Sequence, residues 1–258
     1  MRTTTDIITT RSEASAVALG FFDGVHLGHQ AVISRMIEAA TAEALLPMVF
    51  TFATDGKMPD GKRSMTLLQT ERHKDEILAG MGVSEIVAPP FEAFMGLSPR
   101  EYVERLLCDT LKARVLVCGE NYRFGKYAAA GVAELHTLAE ERGIKVITVP
   151  SVMVGGEAVS STRIRQAVRE GDMPLAQQLL GAPFALEGEV VHGKQLGTSL
   201  HSPTINLDIP HGFTVPAYGV YQSRVTTPYG DYYGATNVGC RPTVSGEAPN
   251  CETFLLDF

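Results

Sequence analysis

Cysteine is scarce in this 258-residue chain, and it is never paired in sequence. Cys108, Cys118, Cys240 and Cys251 form no C-x-x-C, which excludes a zinc ribbon and a thioredoxin-like redox motif. Four cysteines in so long a chain also exclude a disulfide scaffold, and reduced thiols in a cytoplasm are expected. Long apolar runs are missing too: none approaches the ~18 residues of a membrane span. Met1 to Asp6 contain no apolar stretch of the kind that opens a secretory signal. Positive charge is in deficit, with 22 Lys and Arg against 29 Asp and Glu, a formal net charge of -7. That balance argues against a nucleic-acid surface. The expectation is a cytoplasmic protein with small-molecule partners, no nucleic acid and no membrane, acting as a monomer or weak homo-oligomer.

What remains is an ordinary globular composition, 45% hydrophobic and 20% charged, long enough for one or two domains. Up to about residue 180, strand-like and helix-like segments alternate. Val17–Phe22, Leu46–Phe52, Ile86–Val87, Arg114–Gly119 and Ile144–Val149 read as strands. Gly28–Leu45, Thr70–Gly80, Val132–Arg142, Thr162–Glu170 and Met173–Leu180 read as helices. Another helix starts at Ser98-Pro99-Arg100-Glu101, with serine at the N-cap, proline at the first position and glutamate at the third. Apolar strands separated by helices predict a parallel sheet covered on both faces. Near Gly181-Ala182-Pro183 the pattern changes. Val190–Val191, Tyr218–Val225, Tyr232–Val238 and Thr253–Leu256 read as short β segments between Gly/Pro turns. There is no internal repeat and no low-complexity tract.

In such sheets ligands bind beyond the carboxyl ends of the strands. Phe21-Phe22-Asp23-Gly24-Val25-His26-Leu27-Gly28-His29 lies at one such end, and Gly119 to Gly125 at another. His26 and His29 admit three readings: a metal site, a plain glycine-rich turn, or a phosphate cradle at a helix N-terminus. Val159-Ser160-Ser161-Thr162-Arg163-Ile164-Arg165 begins a helix downstream. It reads either as a cap followed by a solvated face or as a second phosphate clamp.

Together, His26-Leu27-Gly28-His29 and Ser160-Ser161-Thr162-Arg163-Ile164-Arg165 resemble the paired motifs of the nucleotidylyltransferase superfamily. The resemblance is closer still to the bacterial bifunctional riboflavin kinase/FAD synthetase family. It rests on GFFDGVHLGHQ, CGENYRFGKYAAAG, VSSTRIR and REGDMPLAQQLLGAPF, then GKQLG (193–197), SPTIN (202–206), PAYGVY (216–221), NVGCRPT (237–243) and CETFLLDF (251–258). It runs from about residue 14 to the last residue.

The resemblance implies a Rossmann-like α/β nucleotidylyltransferase domain, residues 1–183, followed by an antiparallel β-barrel riboflavin kinase domain, residues 184–258. It implies adenylyl transfer from ATP to FMN, giving FAD and pyrophosphate. His26 and His29 would contact ATP phosphates above a floor of Gly20, Phe21, Asp23 and Gly24. Ser160, Ser161, Thr162, Arg163 and Arg165 would form the second phosphate clamp, and Asn121, Arg123 and Phe124 would receive the flavin. In the second domain Thr204 and Asn206 would ligate Mg²⁺, and Glu252 would be the general base for phosphorylating riboflavin.

Two local departures and one global one accompany the resemblance. The family's F-D-P-H-P is replaced by Phe52-Ala53-Thr54-Asp55-Gly56. Thr198, His201 and Ser202 replace the family's basic residue and Gly-Phe before P-T-x-N. The family pattern also continues past Phe258, so an incomplete barrel is expected. The alternatives are a flavin-binding protein whose β module is not catalytic, and an adenylyltransferase for another phosphorylated acceptor.

Overall fold

The computed structural model describes residues 1–54, 58–59, 65–191, 204–209, 211–243 and 246–256. Asp55, Gly56, the 193–197 segment, Thr198 and His201 to Pro203 therefore lie outside the described residues, as does Phe258. The chain divides into two units: Met1–Met65 with Thr70–Ser161 and Leu179–Gly181, and Thr66–Gln69 with Thr162–Gln178 and Ala182–Phe258.

The first unit is built on six parallel strands: β1 (Arg2–Thr4), β2 (Ser15–Leu19), β3 (Leu46–Phe50), β4 (Glu85–Val87), β5 (Ala113–Gly119) and β6 (Lys145–Val149). Their order is β1-β4-β3-β2-β5-β6, with Val17 opposite Met48 on one side and Leu116 on the other. Successive residues of a strand point to opposite faces, and both faces here are covered. Val17, Leu19, Met48, Leu116 and Cys118 form one buried cluster with Val103, Leu107 and Leu135. Ala16, Ala18, Val49, Val115 and Val117 form the other with Ile33, Met36 and Leu78. Burial on two faces is why these strands are continuously apolar rather than alternating.

The covering helices are α1 (Leu27–Glu43), α2 (Glu71–Gly80), α3 (Pro99–Glu101, continuing as a π-helix over Tyr102–Thr110) and α4 (Val132–Glu140). The Ser98 capping box is present: its hydroxyl accepts from Glu101 N–H, and Glu101 accepts from Ser98 N–H. Three local features differ from the sequence expectation. The strand predicted over Val17–Phe22 ends at Leu19, because the chain turns sharply there. β1, with a single residue part-buried, pairs with β4 at the sheet edge; its polar sequence carries no apolar pattern to announce it. Residues 102–110 keep the helical apolar spacing yet wind as a π-helix. A two-residue hairpin, β7 (Met153–Val154) with β8 (Glu157–Ala158), leads towards α5 (Ser161–Glu170), and α6 (Met173–Leu180) follows.

The second unit contains an antiparallel sheet of β9 (Glu189–Val191), β10 (Thr204–Asp208), β11 (Gly219–Thr227), β12 (Gly230–Thr243) and β13 (Gly246–Leu255), ordered β11-β12-β13-β10-β9. One face is buried by Val238, Cys251 and Leu255. A hydroxyl ladder crosses the same face: Thr236 Oγ1 lies 2.7 Å from both Ser223 Oγ and Thr253 Oγ1. Burial pushes the Cys251 thiol pKa up. No helix among the described residues is long and apolar enough to cross a membrane.

Candidate active site

β2 lies between β3 and β5, so the chain leaves it in opposite directions along the sheet. That is the topological switch point, where a crevice opens beyond the carboxyl ends of the strands. The turn after β2 occupies it. Phe22 (φ 56°), Gly24 (φ 86°) and Val25 (φ 34°) all take positive φ. For a β-branched valine this is a strained conformation, of the kind that persists at functional sites. The turn drives Phe22 into the core, 1% exposed. A Cβ on Gly20 would lie 2.9 Å from that ring, so glycine is needed there. Phe21 is held from the residue just after β3, Thr51 Oγ1 donating to its carbonyl at 3.1 Å. Its ring stacks on Phe52 at 4.7 Å.

The turn delivers the two histidines to the first turn of α1. His26 is the N-cap, and its Nδ1 accepts from the His29 N–H at 3.3 Å. An accepting Nδ1 puts the proton of the neutral ring on Nε2. The two imidazoles stack at 3.6 Å and 16°, and Phe22 meets His29 edge-on at 5.3 Å. Gly28 explains the spacing: a Cβ there would lie 3.2 Å from the His26 ring, tighter than ordinary packing. Among the described residues, no group of three potential metal ligands includes either histidine.

The second motif meets the first at Ser161. Ser161 Oγ donates to the Asp23 carbonyl at 2.8 Å, joining the start of α5 to the turn. Asp23 is 3% exposed. Beyond Ser161, Thr162 is exposed and Arg163 half-buried, whereas Arg165 is buried. In the second unit Arg165 Nε donates to the Thr66 carbonyl at 2.6 Å. Ser160 is half-buried just before the helix.

The loop after β5 carries the three predicted flavin residues in different settings. Asn121 is exposed, its Oδ1 close over Gly119. Arg123 closes its own loop, Nε and Nη2 donating to the Ala128 carbonyl at 3.1 and 2.8 Å. Phe124 lies in the core with Tyr122 and Tyr102. Those two phenols are 2.8 Å apart, and burial raises the pKa of both. Phe52, Phe91 and Phe94 extend this aromatic row towards Phe21. Sequence reading passed over Phe91 and Phe94, because the topology that gathers them is not written in their spacing.

In the second unit, register assembles the other group. Asn206 of β10 stands opposite Glu252 of β13, and Glu252 stands opposite Asn237 of β12. Directly opposed residues share a face of the sheet, and Thr204, two residues before Asn206, shares it too. Thr204 is exposed, Glu252 half-buried and Asn206 4% exposed. These are hydroxyl, amide and carboxylate oxygens, the donor class that suits a hard cation such as Mg²⁺. Asn237 was missed as a site candidate; only the strand register brings it beside Glu252.

A glycine-shaped helix N-terminus at the switch point of a parallel sheet defines a nucleotide-binding α/β enzyme. Comparison with known proteins agrees and narrows the class. A family model described as FAD synthetase matches residues 8–163, and one described as riboflavin kinase matches residues 180–258. The curated bifunctional riboflavin kinase/FMN adenylyltransferases of Listeria monocytogenes and Escherichia coli are each 32% identical to this chain. They cover 94% and 95% of it, and it spans 78% and 79% of their lengths. The Bacillus subtilis protein is 31% identical, covering 98% of this chain and 81% of its own length. The chain belongs to the bifunctional riboflavin kinase/FMN adenylyltransferase family. A solved structure described as a macrolide-efflux protein from Streptococcus pneumoniae has the same fold, with a TM-score of 0.85 and 30% identity over 99% of this chain and 84% of that one.

Proposed function

We propose that residues 1–183 form an FMN adenylyltransferase and residues 184–258 a riboflavin kinase module, together taking riboflavin through FMN to FAD. The observation that carries the first activity is the capped N-terminus of α1, where His26 and His29 stack over a strained glycine turn. A phosphate oxygen of FMN attacks the α-phosphorus of ATP. The bond to the bridging oxygen breaks, and pyrophosphate leaves with the electron pair. No covalent enzyme intermediate is needed, so positioning and charge stabilisation do the catalysis. The α1 N–H groups and the His26 Nε2–H stabilise charge on the transferred phosphorus oxygens, with His29 beside them. Gly20, Phe21, Asp23 and Gly24 shape the floor. Ser161, Thr162 and Arg165 hold the departing phosphates, flanked by Ser160 and Arg163. Asn121 receives the flavin nucleotide, while Arg123 and Phe124 shape its loop from outside and from the core.

For the kinase, Thr204 and Asn206 would hold Mg²⁺, which when bound neutralises charge on the ATP phosphates. Glu252 takes the proton from the ribityl 5′-hydroxyl as that oxygen attacks the γ-phosphorus and ADP leaves. The cross-strand alignment of Asn206, Glu252 and Asn237 supports this grouping. We place the enzyme in the cytoplasm, which suits its free cysteines.

The test is FAD formation from supplied FMN and ATP, run beside FMN formation from riboflavin with ATP and Mg²⁺. Both products are expected. FAD without new FMN would remove the kinase assignment. Neither product, with flavin still bound, would make the chain a flavin-binding protein and overturn the enzymatic reading.

A further inference from the structure

The loop after β5 ends in a tip that the fold holds in an unfavourable shape. Tyr127 (φ 60°) and Ala128 (φ 53°) follow one another in the left-handed region, where residues with a side chain are uncommon. The tip is a turn closed by the Ala128 N–H on the Gly125 carbonyl at 2.9 Å. A turn position with positive φ favours glycine or asparagine, yet a tyrosine stands there. The base of the loop holds the strain. Arg123 donates to the Ala128 carbonyl at 3.1 and 2.8 Å, and Phe124 and Ala130 exchange both backbone bonds at 3.1 Å. From the side, Lys126 N–H donates to Leu97 O at 2.7 Å, and a Cβ on Gly125 would meet Pro99 at 2.8 Å. The ring does not repay this by packing, for Tyr127 is 87% exposed. Lys126 Nζ lies 5.3 Å from its centroid, a cation–π contact that favours one orientation of the ring. A single exposed aromatic needs no explanation; one carried on strained, clamped backbone does. The tip stands at the carboxyl edge of the sheet. The loop leaves β5 there, and Leu97 and Pro99 lie at the start of α3, a crossover from β4 back to β5 that begins at the same edge. That edge also carries the turn after β2, and all these residues belong to the first unit.

We infer that Tyr127 is a specificity-determining residue of adenylyl transfer: its solvent-facing ring stacks on the isoalloxazine of FMN. An aromatic side chain already held in place offers a flat ligand contact area at low entropic cost. Two flat rings enter the proposed reaction, adenine and isoalloxazine. The flavin is favoured because the tip is continuous with Asn121 and Phe124 on one loop. This rests on the reading of that loop as the one that receives the flavin nucleotide.

The experiment measures kcat and separate KM values for FMN and ATP in FAD formation by the full chain. The variants are Tyr127→Gly, Tyr127→Phe and Asn121→Ala, each with its Tm. Tyr127→Gly should raise the KM for FMN roughly fivefold, the worth of about one aromatic stacking contact, and leave kcat and the KM for ATP unchanged. Its Tm should hold or rise, because glycine takes positive φ without a Cβ clash. Tyr127→Phe should keep the wild-type KM for FMN, since the stacking face is kept. An unchanged KM for FMN in Tyr127→Gly would overturn the inference. So would a raised KM for ATP alone, which would give the ring to adenine instead. A phenylalanine variant as impaired as the glycine one would assign the effect to the hydroxyl and refute stacking. An unchanged KM for FMN in Asn121→Ala would refute the flavin role of the loop itself, a failure distinguishable from the others.

Discussion

In the proposed function, the turn after β2 and the β10–β13 sheet hold phosphate chemistry in place by different means. The turn uses contiguous residues whose backbone is forced into a rare shape: three positive φ angles in four positions, a histidine cap and a glycine that admits its ring. The sheet uses ordinary extended backbone and collects Asn206, Asn237 and Glu252 from three strands by register alone. A site made of local strain leaves a readable motif. A site made of register leaves residues that look unremarkable one at a time.

The two regions also differ in what supports them, which orders the expected effects of substitution. Leu116, fully buried in β5 between β2 and β6, belongs to one of the two cores sandwiching the parallel sheet. Leu116→Ala should cost about 2–5 kcal/mol in denaturant unfolding. A loss under about 1 kcal/mol would mean that the core relaxes around the gap and does not brace the switch point. His29→Ala tests the chemistry proposed for the turn instead. FAD formation from FMN should fall on the order of 10²-fold, about 2.7 kcal/mol of barrier, with Tm nearly kept. Unchanged adenylylation would sink the assignment of the turn. Ser98→Ala removes one side of a capping box and should lower stability by about 1 kcal/mol with both activities retained. A shift in either activity would tie α3 to a site more closely than its position indicates. The smallest effect concerns pH. Backbone and side-chain bonds from Thr9, then the Ile8 N–H, hold the Asp6 carboxyl at a pKa of about 2. A depressed carboxyl stabilises the fold above its unfolded value near 3.8 and loses that contribution as pH falls towards 2. Asp6→Asn should therefore flatten the acid limb of the Tm profile slightly; an identical limb would show that this exposed turn does not couple to unfolding.

The same contrast explains what the sequence disclosed. The parallel sheet was legible because burial on both faces makes Ala16–Leu19 and Val115–Cys118 continuously apolar. The Ser98 cap was legible because its partners are three residues apart. His26 and His29 were legible as a pair, but not as stacked rings, since stacking depends on the φ angles of Phe22 and Val25. β1 was not legible: Arg2-Thr3-Thr4 takes its strand from the β4 edge rather than from its own composition. Nor were the contacts of Thr66, whose carbonyl meets Arg165 and whose hydroxyl meets Thr214, 99 and 148 residues away, only in the folded chain.

In the proposed function one chain carries two chemistries on separate residues. Glu252→Gln, assayed both for FMN formation from riboflavin and for FAD formation from supplied FMN, tests it most directly. FMN formation is expected to collapse while FAD formation from FMN keeps its wild-type rate. A matching loss of both, in a protein that still folds, would contradict it.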